Sequence, residues 1–377
     1  MKRRSLLKTA CTLGASASVL QAFPLLAEST DNALLEMVHP ELRDMAANLL
    51  NGNFNIPAIS QLNLKQSREG LLATRKPPLK DVPVESRQIM GGKRQPDVSL
   101  WVINADKASR SDSRPAILHT HGGGYVMGSV QDSIQDLQRM SQQLDCVIVS
   151  VEYRLAPETT YLGSVEDNYA ALKWLYNNAE LLGVNADRIA LMGESAGGGH
   201  AALLAIAARD RGEVPVAFQC LIYPMLDDRT GSSRSVPPHI GKLIWTKESN
   251  QFGWSSFLGV KAGSEHVPAG AVPARQENLK GLPPTFIGVG SLDLFSDESM
   301  EYAQQLNASG VPTEMLVVPG AFHGFDVLQN FGLHTCVGKE FNQAKIKALQ
   351  KGLDIDQSQK CTKGLPAALL VMSEKLP

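Results

Sequence analysis

Arg188-Ile-Ala-Leu-Met-Gly193-Glu194-Ser195-Ala196-Gly197-Gly198-Gly199 decides how this chain reads. An apolar run ends in Gly-x-Ser-x-Gly and passes without a spacer into an Ala-rich stretch that keeps helical spacing to Arg211. The bare pattern arises by chance in roughly one chain in eight of this length, so its placement carries the argument. A serine on so sharp a strand-to-helix turn is held in a strained backbone conformation, and glycines two residues to either side let neighbouring backbone approach. The Ser195 hydroxyl then stands clear of the sheet, above a helix N-terminus whose unpaired N–H groups, Ala196 among them, favour negative charge. A phosphate-binding loop is the rival reading, but the stretch has neither a Lys-Ser/Thr ending nor Gly-x-Gly-x-x-Gly.

Upstream, Ile117-Leu-His119-Thr-His121-Gly122-Gly123-Gly124-Tyr125 also follows an apolar strand. A His followed by three glycines occurs by chance in only about a few chains per thousand. Such a loop can turn its N–H groups toward a ligand and donate to a carbonyl oxygen that gains charge, which assigns Gly123 and Gly124, with Ala196, as candidate oxyanion donors. His119-x-His121 is also a zinc-ligand spacing, but a metal needs three or four ligands and the other histidines stand without partners at metal spacing. His119 therefore reads as a satisfied core residue, and His121 and Gly122 as support for the loop.

A serine hydroxyl needs an imidazole to take its proton and a carboxylate to orient that imidazole. In this topology the order is Ser, acid, His, each at the carboxyl end of a strand. Thr285–Val289 reads as a strand followed by Gly290-Ser-Leu-Asp293, and Glu314–Val318 as the next, followed by Pro319-Gly-Ala-Phe-His323. Asp293 and His323 are thus the candidate acid and base. Asp297 fits better as a residue opening the next helix, His334 is eleven residues farther from its strand, and His200 reads as a helical core histidine.

From about Asp97 onward, strand patterns at Val98–Asn104, Ala116–Thr120, Cys146–Glu152, Arg188–Met192, Val216–Ile222, Thr285–Val289 and Glu314–Val318 alternate with helical ones at Ile134–Leu144, Val165–Leu181, Ala196–Arg211, Ser296–Ser309 and Gly338–Leu349. That alternation predicts a doubly wound α/β fold with a mostly parallel sheet and helices on both faces. Residues 28–87 show helical but no strand pattern, and 226–280 are rich in Pro, Gly and aromatics; both read as segments capping a site between core parts 88–225 and 281–377. No apolar run is long enough to span a membrane.

Residues 1–27 read as a targeting segment: Lys2-Arg3-Arg4 and Lys8 precede an acid-free apolar stretch, and Arg3-Arg4-Ser5-Leu6-Leu7-Lys8 resembles a twin-arginine export signal. A frayed basic helix is the plainer alternative, though paired arginines rarely precede such a run. Cleavage after Ala27 or Ala22 would leave a periplasmic or secreted protein, with the twin-arginine export machinery as the precursor's partner. Cys11 does not read as a lipid-attachment site, because Lys8 stands where an apolar residue is expected. The net charge of −2 becomes about −6 without the four basic residues of that segment, which does not suit nucleic acid. Cys146 and Cys220 read as inert core thiols, whereas Cys336 and Cys361 could pair in an oxidising compartment. The oligomeric state is left open, a homo-oligomer included.

Taken together, His121-Gly-Gly-Gly124, Ser150-Val-Glu-Tyr-Arg-Leu-Ala-Pro-Glu158, Glu166-Asp167, Gly193-Glu-Ser-Ala-Gly-Gly198, Tyr223-Pro224, Asp293 and His323-Gly-Phe325 resemble the bacterial hormone-sensitive-lipase-like esterases of the α/β-hydrolase superfamily. The resemblance implies an α/β-hydrolase fold with a helical cap, and a carboxylesterase without metal or cofactor that favours short acyl chains on small-molecule esters. It departs from the family at Glu194, where Asp is more usual, in the run Leu292 to Asp297, and beyond about Gly332, where no family motif appears. Two rivals stay in play: a catalytically silent binding protein on the same fold, and a metal-dependent hydrolase using His119 and His121.

Overall fold

Eight strands form one sheet in the order β1-β2-β4-β3-β5-β6-β7-β8 in the computed structural model, which describes residues 31–54, 56–105 and 114–355. They are β1 Val84–Ile89, β2 Val98–Ile103, β3 Arg114–Thr120, β4 Val147–Glu152, β5 Val184–Glu194, β6 Phe218–Ile222, β7 Thr285–Gly290 and β8 Thr313–Val318. Strands β3 to β8 run parallel to one another, and at one edge β2 pairs antiparallel with both β4 and β1. The mostly parallel sheet expected from the alternation is therefore present. The targeting segment, Cys11 and Cys361 lie outside the described residues, and with Cys361 the proposed disulfide.

Strand alternation sorts the core onto the two faces of the sheet. Ile117, Ile148 and Met192 point to one face, against Leu137 and Leu144 of α3 (Ile134–Leu144) and Phe341 and Leu349 of α8 (Cys336–Gly352). Leu118, Val149 and Leu191 point to the other, against Leu172 of α4 (Tyr161–Asn177), Leu204 of α5 (Ala196–Arg211) and Leu306 of α7 (Ser296–Ala308). Cys146 and Cys220 are buried free thiols in the first cluster, and burial pushes Cys146 up to about 12, so neither is a reactive thiolate.

One expectation needs correction. Residues 28–87 are not free of strand: β1 begins at Val84, so a boundary at 87 cuts through it. Its residues Val-Glu-Ser-Arg-Gln-Ile carry no apolar alternation because an edge strand buries little, and here only Ile89 is buried. Past Gly332, where no family motif appears, the helix expected at Gly338–Leu349 is present as α8, which places Val337, Phe341 and Leu349 against the sheet.

A third apolar cluster covers the carboxyl ends of the strands. It joins Ile59 and Leu64 of the N-terminal segment to Trp254, Phe257 and Leu258 of α6 (Lys247–Leu258) and to Tyr125 beside the glycine loop. The N–H of Ile59 donates to Ser249 Oγ at 3.0 Å, tying the two cap segments together. Within α2 (Leu64–Thr74, which follows α1, Arg43–Leu50), Arg68 forks onto Glu158 at 2.7 and 2.8 Å and donates to the Val126 carbonyl at 2.7 Å. The cap is thus pinned to the chain leaving the glycine loop.

Candidate active site

Ser195 sits between β5 and α5 with φ 57° and ψ −121°, a conformation that non-glycine residues rarely adopt. The turn holds it there: the Ser195 N–H donates to the Ile222 carbonyl at 2.9 Å, and its own carbonyl accepts from Met225 N–H at 3.0 Å. Gly197 is required for the turn to pack, since a Cβ there would stand 2.0 Å from the Thr120 carbonyl oxygen at the end of β3.

The loops after β7 and β8 meet this serine. His323 Nε2 is 3.0 Å from Ser195 Oγ, and His323 Nδ1 is 2.8 Å from Asp293 Oδ2. The other oxygen of Asp293, Oδ1, accepts the Phe295 N–H at 3.0 Å, which fixes the carboxylate plane. Asp293 is fully buried, and Ser195 and His323 nearly so. The His323 ring lies between the edges of Tyr223 and Phe295, with centroids 4.8 and 5.3 Å away. All three residues expected from sequence are brought together, and the competitors stand apart: Asp297 opens α7, His334 is exposed, and His200 is buried inside α5.

The glycine loop runs directly past the serine, and a Cβ on Gly122 would lie 3.5 Å from Ser195 Cβ. Gly123 has φ 120° and its carbonyl accepts the N–H groups of Val126 and Met127 at 3.1 and 3.0 Å, a tight turn. No acceptor among the described residues takes the N–H of Gly123, Gly124 or Ala196. Three backbone donors are therefore left for a ligand next to Ser195.

The two histidines of the loop take the supporting places expected of them. His119 is buried with Nδ1 2.7 Å from Ser150 Oγ and Nε2 2.8 Å from Glu194 Oε2, so both ring nitrogens are occupied. Burial acts to raise the Glu194 carboxyl, but the charge and hydrogen bond of His119 outweigh it and hold the group below its ordinary value. Glu194, the departure from Asp, thus joins β3, β4 and β5 beneath Ser195. His121 donates from Nδ1 to the Gly122 carbonyl at 2.8 Å and stacks on Tyr153 at 4.1 Å; burial lowers its pKa to about 3, so it is neutral. Among the described residues no group of three or more His, Cys, Asp and Glu side chains could hold a metal.

A pocket of about 490 Å³ opens on Ser195 and His323. Sequence reasoning does not find several of its walls: Leu71 of α2, Ile244 and Trp245 of the insertion, and Asp326 with Lys345. Lys345 had a legible signal, since it stands four residues from Phe341 and from Leu349 on the apolar row of α8.

Comparison with known proteins agrees with this geometry. A family model described as the alpha/beta hydrolase fold matches residues 117–327, more than half the chain. Esterase LipI of Mycobacterium tuberculosis is 36% identical over 212 residues, covering 56% of this chain and 65% of LipI, just under two thirds. Carboxylesterase NlhH of the same organism is 33% identical over 247 residues, covering 64% of this chain and 75% of NlhH. Among solved structures, a bacterial heroin esterase superposes with a TM-score of 0.75 at 32% identity, covering 85% of this chain and 99% of that one. With the motifs, the sheet order and these relatives in agreement, the chain belongs to the hormone-sensitive-lipase-like family of carboxylic ester hydrolases in the α/β-hydrolase superfamily.

Proposed function

We propose that this protein is an exported serine carboxylesterase that hydrolyses small or short-chain carboxylic esters through an acyl-enzyme. His323 Nε2 takes the proton of Ser195 Oγ as the oxygen attacks the ester carbonyl, and Asp293 holds Nδ1–H and stabilises the imidazolium that forms. The N–H groups of Gly123, Gly124 and Ala196 receive the tetrahedral oxyanion, an interaction worth about 3 kcal/mol per donor. His323 then returns the proton to the departing alcohol. Water, deprotonated by the same imidazole, releases the acid from Ser195.

The observation that carries this reading is the unbroken line from Ser195 Oγ to His323 at 3.0 Å and on to Asp293 at 2.8 Å, beside three N–H groups that no acceptor among the described residues takes. A pocket of about 490 Å³ suits a small ester. Ser195→Ala tests it: p-nitrophenyl butyrate hydrolysis is expected to fall by several orders of magnitude, and wild-type turnover by that variant would overturn the assignment. Export rests on the twin-arginine pattern at Arg3-Arg4. Expression in a bacterium with that pathway should yield periplasmic protein beginning at Glu28 or Phe23, and replacing both arginines with lysine should retain it uncleaved in the cytoplasm.

A further inference from the structure

The pocket that opens on Ser195 and His323 extends to α8, where Asn342 and Lys345 line it beside Asp326 of the 3-10 helix Phe325–Phe331. Lys345 is only 6% exposed, and its ammonium has one described partner, Asp326 Oδ2, at 3.5 Å. That is an ion pair without a hydrogen bond: Oδ2 has no hydrogen-bond partner among the described residues, while Oδ1 accepts from the Tyr223 hydroxyl at 2.9 Å. An ammonium brings three donors, and a ligand that covers them without accepting leaves them buried unused, which is costly. The position itself is apolar, in one row with Val337, Phe341 and Leu349, so packing alone calls for a hydrophobic residue. Burial works against the charged form, yet the carboxylates of Asp326 and Glu194 outweigh it and hold the Lys345 pKa above that of an ordinary lysine. A charged donor therefore faces the pocket with its hydrogen bonds unmade.

We propose that Lys345 selects the substrate: it binds an uncharged oxygen, that of an ether, ketone or hydroxyl, on the arm of the ester that reaches α8. This rests on the serine-esterase reading and specifies its substrate class. Charge decides against an anionic arm. Asp326 already offsets Lys345, and Arg139 is likewise paired with Asp136 at 3.1 Å and Asp132 with Arg75 at 2.7 Å, so among the described residues no unpaired cation is left in the pocket to attract a carboxylate. An ammonium on the substrate would meet the Lys345 charge head on, and a plain alkyl arm would seal the donors away from any acceptor. A neutral acceptor oxygen satisfies the lysine without adding charge.

The test is a matched series. The acid arm is varied as p-nitrophenyl ω-methoxyalkanoates against alkanoates of equal chain length, with monoesters of dicarboxylic acids as the charged control. The alcohol arm is varied as ω-methoxyalkyl against alkyl acetates, read by acid release. For one arm, at one chain length, kcat/KM of the methoxy ester should exceed that of its alkyl isostere by about tenfold, with the charged ester poorest. In Lys345→Met the ratio should fall to about one, the loss appearing mainly in KM. Equal kcat/KM for methoxy and alkyl esters at every length on both arms overturns the proposal, and so does preference for the carboxylate. The wild-type ratios decide even if Lys345→Met does not fold. Failure of wild type on every ester would instead sink the esterase reading, and this inference with it.

Discussion

Asp293→Asn separates the orienting role of this carboxylate from its bulk. The amide fills the same buried volume, so the fold should survive with a melting temperature within a few degrees of wild type. What changes is set by Phe295, whose N–H donates to Oδ1 at 3.0 Å. Keeping an acceptor there turns the amide oxygen toward Phe295 and the NH2 group toward His323 Nδ1, where Oδ2 stands at 2.8 Å in the native protein. Nδ1 must then accept, the ring proton moves to Nε2, and Nε2 can no longer take the Ser195 proton. The flipped amide restores the tautomer only by facing NH2 against the Phe295 N–H, a buried clash of donors costing about 1–3 kcal/mol, which leaves it roughly a few per cent populated. Even that fraction lacks the negative charge that stabilises the imidazolium. The expected result is kcat lowered by about a thousandfold to ten-thousandfold with p-nitrophenyl butyrate at pH 8. A folded variant keeping more than about a tenth of wild-type kcat would refute the reasoning.

Gly123→Ala places a Cβ 2.1 Å from the Met127 carbonyl oxygen on backbone with φ 120°, so kcat should drop by about a hundredfold or more while circular dichroism stays native. Phe341→Ala leaves a cavity beneath the sheet and should cost about 3–5 kcal/mol, read from the urea midpoint; a loss under about 1 kcal/mol would mean α8 does not pack as described. Glu298 is buried and receives the N–H groups of Leu226 and Asp227 at 2.7 and 3.2 Å; burial, then the charge of Asp227, raise its pKa from 4.5 to about 8. The unfolded chain releases this proton near pH 4.5 and the native one only near pH 8, so native stability falls as pH rises through that window, at up to about 1.4 kcal/mol per unit. Glu298→Gln keeps the acceptor without the titration, and its melting temperature should gain on wild type steadily from pH 5 to pH 8; a constant difference across that range would contradict the buried neutral carboxyl.

Strands buried on both faces announce themselves as apolar runs, which is why β3, β4, β6 and β7 were legible to within a residue or two. The edge strand β1 was not, because its side chains face solvent and its sequence is that of a polar loop. Helix α6, Lys-Glu-Ser-Asn-Gln-Phe-Gly-Trp-Ser-Ser-Phe-Leu, contains Gly and three Ser and has little intrinsic preference for helix; burial of Trp254 and Phe257 against Tyr125 holds it, and that partner is more than a hundred residues away in the chain. The candidate reacting residues are readable because two of their motifs are local and the other two positions follow from strand ends. The pocket walls are not, since Asp326 and Lys345 meet only once the 3-10 helix Phe325–Phe331 and α8 have packed together. Glu194 shows as a departure from pattern, but its partner His119, and Ser150 on the far side of that ring, come from two other strands.

Everything turns on whether Ser195 is the nucleophile, and covalent capture reads that without a choice of ester. Incubation with a fluorophosphonate, followed by intact-mass and peptide mass spectrometry, should give a single adduct on the peptide holding Gly193 to Gly199, absent from Ser195→Ala. A wild-type protein that hydrolyses esters yet takes no adduct on Ser195, or takes one elsewhere with loss of activity, would contradict the account.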